Sequence, residues 1–287
     1  MDAFVASTGF AVATALLTGL IVGSFLNVVI HRLPRILERE WRDECEQLMA
    51  KASPSAEPRL TLSTPGSHCP ACKAPVKPWQ NIPVISYLLL RGRCASCGTP
   101  IPKRYPLVEL TSGALTAFCL WWFGVAPVAI AAAALTWALI ALAVIDIDHQ
   151  ILPDRITMPL IWVGLLLSLT GWFTDSTSAI IGAAGGYLLL WLVFQGFRLA
   201  TGKEGMGFGD FKLLAVFGAW LGWQMLPLIT LAASIAGALV GVILIATGRR
   251  SGAQPIPFGP FLAGAGWVAL FWGADINRWY LDFSGLG

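Results

Sequence analysis

Charge is what this chain has little of. Only 12% of its 287 residues are charged, against about 25% in an ordinary soluble domain. A deficit of that size excludes a protein whose main solvent is water. No signal-peptide cleavage pattern follows the first apolar run, which leads straight into a basic segment, so that run is expected to be a retained helix. No inverted repeat relates the two halves of the chain, which counts against the repeat-built transporters.

What is present is apolar surface, with 56% hydrophobic residues and a mean hydropathy of +0.70. A membrane helix needs about 20 such residues. The apolar runs predict an all-α polytopic membrane protein with about eight spans, near residues 8–30, 106–124, 127–147, 156–174, 179–200, 211–223, 225–247 and 257–280. The sixth is short for a full span. With the amino terminus outside, residues 31–105 are cytoplasmic and hold 12 of the 19 Lys and Arg. Arg155, Arg198, Lys203, Lys212, Arg249 and Arg250 fall on the same side, and only Arg278 falls opposite. That asymmetry follows the positive-inside rule. The expected organisation is a first transmembrane helix in 1–30, a cytoplasmic loop domain in 31–105, and a transmembrane core in 106–287.

The loop domain begins with a charged helical stretch, Arg35 to Lys51, in which Glu38–Arg42 and Arg42–Glu46 are spaced four apart. A Pro- and Ser-rich linker follows over 52–67. Then come Cys69-Pro-Ala-Cys72 and Cys94-Ala-Ser-Cys97. Two CxxC pairs at such spacing form a tetrahedral zinc site of four thiolates, structural because no position is left open for a catalytic water. Two disulfides would require an oxidising compartment, and the charge pattern places the loop in the reducing cytoplasm. Gly98 supplies the positive φ that a knuckle turn needs. Cys45 and Cys119 have no sequence partner.

Ionisable groups beside membrane spans call for a reason. Asp146 continues the apolar run of the third span at its cytoplasmic end, within Val144-Ile-Asp-Ile-Asp-His-Gln-Ile-Leu-Pro-Asp154. Asp148 lies two residues on and points to another side of a helix. Asp148 and Asp154 have an ordinary reading as solvated charges or caps, and His149 as a bystander. Asp210 opens the sixth span after Gly205, Gly207 and Gly209, glycines that remove side chains where something must come close. An N-cap role explains the Asp but not the glycines. Lys212 is placed to neutralise local charge, to contact a substrate carbonyl, or to snorkel. Glu109 is expected to pair with Arg104 or another basic group, and Asn27 is a further buried polar group.

Asp146 and Asp210 fall on one side of the membrane, at similar depth, on different helices. That is the arrangement a two-carboxylate hydrolase uses, the pair sharing a proton. Intramembrane carboxylates also mark ion paths, so an ion-coupled transporter is the rival reading. Against it, these residues lie near one face, not near the midplane.

The chain resembles the bacterial type IV prepilin leader peptidases. The resemblance rests on Gly23-Ser-Phe-Leu-Asn-Val-Val through Arg32-Leu-Pro34, the two CxxC pairs, Asp146 with Pro153-Asp154, and Gly207-Phe-Gly-Asp210 with Lys212. It implies that Asp146 and Asp210 are the catalytic pair, supported by Gly207, Gly209 and Lys212. It implies prepilin or pseudopilin substrates cut after a Gly at the cytoplasmic face of the inner membrane, with the amino terminus periplasmic. Members with the four-cysteine loop also methylate the new amino terminus with S-adenosylmethionine, so both activities are expected. No glycine-rich methyltransferase fingerprint follows a strand, and the donor site has no motif. The expected partners are these substrates and the lipid bilayer, with no nucleic acid. The acidic residues of 38–46 match no catalytic element, and steering of a basic leader is one role for them.

Overall fold

The structure is a computed structural model that describes residues 2–49, 60–248 and 256–285. Most of the expected linker, together with Lys51, Arg249 and Arg250, lies outside these residues. Nine α-helices and no strand occur among the described residues. They are α1 (Asp2–Leu48), α2 (Ile85–Leu89), α3 (Arg104–Phe123), α4 (Pro127–His149), α5 (Asp154–Leu167), α6 (Ser176–Thr201), α7 (Phe208–Leu221), α8 (Leu226–Ala246) and α9 (Gly259–Ser284).

Five of these, α1, α3, α4, α6 and α8 with its leading turn, are long and apolar enough to cross a membrane. The expected count of eight is not confirmed. At 14 residues each, α5 and α7 rise only about 21 Å, short of a hydrocarbon core of about 30 Å. Helix α9 has the length but is less apolar, carrying Asp275, Asn277 and Arg278 in its second half. The first span and the charged stretch after it form one helix, and α1 runs on through Pro34 to Leu48.

Two compact units divide within α4, between Ala141 and Leu142. In the first, α1 packs along α3. Methyl groups at Gly19 and Gly23 would lie 2.5 Å from Thr116 Oγ1 and 2.7 Å from Glu109 Cα, so small residues set this approach, as membrane helix contacts require. Buried polar groups complete it. Ser112 donates its hydroxyl to the Gly19 carbonyl (2.7 Å), and Asn27 donates to the Tyr105 carbonyl (3.1 Å). Arg32 donates to the carbonyls of Thr61 and Leu62, holding the chain ahead of the first CxxC against α1. Glu109 is met by a backbone amide where a cation had been expected. Val84 N–H donates to its Oε2 at 2.8 Å, latching the segment between the CxxC pairs onto α3.

In the second unit α7 is the core. Every residue from Leu213 to Leu221 is buried, and α5, α6 and α9 all pack on it. Glycines stand at the contacts. Gly182 of α6 and Gly218 of α7 meet backbone to backbone, Gly186 faces the Leu214 carbonyl, Gly164 of α5 faces Trp220, and Gly266 of α9 faces Phe217. The Trp220 indole is satisfied at the Leu160 carbonyl (2.8 Å). A short helix is stable at membrane depth when protein surrounds it, because its own backbone bonds are internal and no side chain must match lipid.

Candidate active site and thiol centre

The second unit brings Asp146 and Asp210 into one buried place. Asp146 lies in the last turn of α4 at 5% exposure, and Asp210 in the first turn of α7 at 7%. They are close enough for the Asp146 charge to act on Asp210. Helix α7 begins at Phe208 with Gly207 as its cap residue, so Asp210 sits inside the first turn and is not itself the N-cap. Its backbone N–H donates to the Gly207 carbonyl at 3.2 Å.

A backbone donor to Asp146 comes from a residue the motifs did not single out. Gly259 N–H, at the start of α9, donates to Asp146 Oδ2 at 3.0 Å. A methyl group at Gly259 would lie 2.6 Å from that oxygen. Leu152, just after α4, is the second unmarked member. Methyl groups at Gly209 and Gly259 would lie 2.7 Å from its Cβ and 3.2 Å from its Cδ1, respectively. One leucine thus spaces the ends of α4, α7 and α9. A turn signal marks the spot in sequence, Pro257-Phe-Gly-Pro260 at the start of a helix, yet nothing there names Asp146 as its target.

The glycines before Asp210 differ in purpose. Gly209 makes room for Leu152, and Gly205 for Phe197 (2.8 Å). Gly207 has open space apart from Asp210 Oδ2 at 3.9 Å, so its place in the motif is not required by crowding. Of the three uses open to Lys212, the structure shows charge neutralisation. Its Nζ donates to both oxygens of Asp154 at 2.6 and 2.7 Å, tying the first residue of α5 to α7. Asp148 and His149 are exposed on α4.

In the first unit the four cysteines Cys69, Cys72, Cys94 and Cys97 converge, with all sulfurs within 4.8 Å of one another. The two CxxC pairs fold as matching knuckles. Cys69 N–H donates to the Ala74 carbonyl and Lys73 N–H to the Cys69 carbonyl, and Cys94 N–H and Gly98 N–H repeat the pattern with Thr99 and Cys94. Gly98 takes φ +70° as expected, and Lys73, in the same position of the first knuckle, takes φ +59°. All four thiols are free. Sulfurs about 2.3 Å from a tetrahedral metal stand about 3.8 Å apart, which is the Cys69–Cys97 separation (3.8 Å). The cluster can therefore bind a metal ion. Cys119 is buried beside Thr136 and Cys45 is exposed.

A polytopic helical membrane protein with a four-thiol centre in one unit and a buried pair of carboxylates at helix ends in the other is a defined class. Residues 17–123 match the bacterial peptidase A24 N-terminal domain, and residues 133–242 match the type IV leader peptidase family. Similar curated proteins extend over nearly the whole chain. One from Pseudomonas aeruginosa is 50% identical over 276 residues, covering 96% of this chain and 95% of its own. One from Stutzerimonas stutzeri is 49% identical, covering 99% and 98%. A third, from Aeromonas hydrophila, is 51% identical over 266 residues, covering 92% of each. All three bear the name prepilin leader peptidase/N-methyltransferase. The chain belongs to the type IV leader peptidase family. No solved structure matches it.

Proposed function

We propose that this chain removes the leader peptide from type IV prepilins or pseudopilins at the cytoplasmic face of the inner membrane, using Asp146 and Asp210, and then methylates the new amino terminus. The observation that carries the reading is the burial of both carboxylates in one place, at the ends of α4 and α7, in a chain about half identical to proteins named for both activities.

Two neighbouring carboxylates cannot both ionise cheaply, so they hold one proton between them. The ionised member takes a proton from water as the water oxygen attacks the scissile carbonyl. The protonated member donates to the carbonyl oxygen, and the tetrahedral intermediate collapses when a proton reaches the departing amine. The apparent pKa values then belong to the pair. Gly259 supplies the backbone donor that holds the Asp146 side chain, while Lys212 fixes α7 against α5 through Asp154. In this reading 1–30 holds the first span, with the amino terminus periplasmic. Residues 31–105 form the cytoplasmic domain, and 106–287 form the protease core.

Cys69, Cys72, Cys94 and Cys97 would hold zinc, which at four thiolates organises the loop and leaves no site for chemistry. S-adenosylmethionine would supply the methyl group.

The test is intact-mass analysis of a prepilin incubated with the purified protein, comparing wild type, Asp146→Asn and Asp210→Asn. Trimming by wild type and failure of each folded variant is the expected result. Cleavage by both variants overturns the assignment. Counter-ion-dependent flux in liposomes with no cleavage would instead support a transporter.

A further inference from the structure

A cleft of about 440 Å³ opens beside the second knuckle, between α2 and the start of α3. Its lining includes Tyr87, Arg91, Arg93, Ile101 and Lys103, with three cations and no acidic side chain. All three cations are exposed, and the backbone that carries the two arginines is a defined turn. Arg91 and Gly92 both take positive φ (+50° and +67°). Gly92 N–H donates to the Tyr87 carbonyl (2.9 Å) and Ile101 N–H to the Gly92 carbonyl (2.8 Å). Arg93 pairs across the knuckle with Pro100. The turn thus presents Arg91 and Arg93 on either side of Gly92. Three cations with no carboxylate among the lining residues make this cleft electropositive.

Depth decides which anion. Helix α3 has 20 residues, about 30 Å of rise, which matches the hydrocarbon thickness with nothing to spare. Lys103 immediately precedes this span-length helix, which sets it near the membrane–water boundary, where lipid phosphates lie. The segment leading to the cleft carries exposed apolar side chains. Ile85, Leu88 and Leu89 are 55%, 68% and 71% exposed, and Trp79 and Ile82 are also exposed. A short apolar stretch with an interfacial Trp, followed at once by arginines, is the composition of a segment lying in the membrane surface.

We propose that the Arg91–Arg93–Lys103 cleft seats the phosphate headgroup of an anionic membrane lipid, with the α2 side chains in the acyl boundary, so that the thiol-centred domain is fastened to the bilayer. The proposal does not depend on either enzymatic activity.

The test is native mass spectrometry of the full chain titrated with phosphatidylglycerol, phosphatidylcholine or inorganic phosphate. Wild type is expected to bind phosphatidylglycerol selectively. The Arg91→Gln/Arg93→Gln/Lys103→Gln variant should bind it roughly a hundredfold more weakly, from the usual contribution of each basic residue at an anionic surface. Should that variant lose its wild-type melting temperature, Lys103→Gln alone lies outside both knuckles and is expected to show about a fivefold loss. Unchanged phosphatidylglycerol binding in a folded variant overturns the proposal. Equal displacement by inorganic phosphate also overturns it, in favour of a free-anion site, and displacement by S-adenosylmethionine does so in favour of a nucleoside cofactor site.

Discussion

Gly259→Ala tests the geometry of the carboxylate pair without removing a carboxylate. The new methyl group would lie 2.6 Å from Asp146 Oδ2 and 3.2 Å from both its Cγ and Leu152 Cδ1. Ordinary contact begins at 3.4 Å, so the closest atom must retreat by about 0.8 Å. The Gly259 N–H bond to Asp146, 3.0 Å long, cannot survive that shift unaltered. A hydrogen bond to a charged acceptor contributes about 1.5–3 kcal/mol. If it acts in the transition state, its loss slows the chemical step roughly 10- to 150-fold. Misplacement of a reacting group by about 1 Å costs a similar factor. Substrate binding elsewhere is untouched, so kcat should fall while KM holds, and the pH profile of kcat should move because one of the coupled carboxylates has lost a donor. Gly264→Ala is the control on the same helix, where a methyl group meets nothing within 4 Å, and it should be silent. A Gly259→Ala enzyme with wild-type kcat and pH profile would refute the role assigned to α9.

Three further outcomes follow from contacts elsewhere. Glu109→Ala leaves the Val84 amide without its acceptor. The orphaned donor should cost about 1–3 kcal/mol, seen as faster hydrogen exchange at residues 82–90 with α7 unchanged. Lys212→Met breaks a pair whose side chains are 26% and 61% exposed. Solvent screening limits its effect on stability to about 1 kcal/mol or less, and a larger drop in melting temperature would show that the pair is more than a surface tie. Asp175 caps α6 by accepting the Ser178 amide at 3.0 Å, and that bond holds its carboxyl below the usual range. A depressed folded value contributes stability above the unfolded value of about 3.9, lost as pH falls through the folded value. The gap in melting temperature between wild type and Asp175→Ala should therefore be constant near neutrality and close in acid. A gap that widens in acid contradicts the capping.

Much of the candidate site was legible because local chemistry marks it. Asp146 and Asp210 stand out as carboxylates at the ends of apolar runs, and CxxC spacing announces a thiol cluster without help from the fold. Less legible were features set by packing. Proline usually ends a helix, which hid the continuity of α1 through Pro34. Its neighbours Leu33, Ile36 and Leu37 are buried, and tertiary packing of this kind outweighs local propensity. The residue 211–223 run looked like a short span because sequence cannot show that protein, not lipid, surrounds α7. Gly259 and Leu152 carry no charge and fit no motif, and their importance is a matter of distance alone.

The enclosure of α7 by glycine contacts has a consequence for where this protein can work. Helices that face lipid answer a thicker or thinner bilayer by tilting. Helix α7 carries Asp210 but has a nearly complete jacket of protein, so the bilayer reaches it only through α5, α6 and α9. The place of the carboxylate relative to the spanning helix α6 is set by backbone-to-backbone seams such as Gly182–Gly218. A carboxylate suspended in that way is expected to keep its place among the surrounding helices when lipid composition changes with temperature or growth.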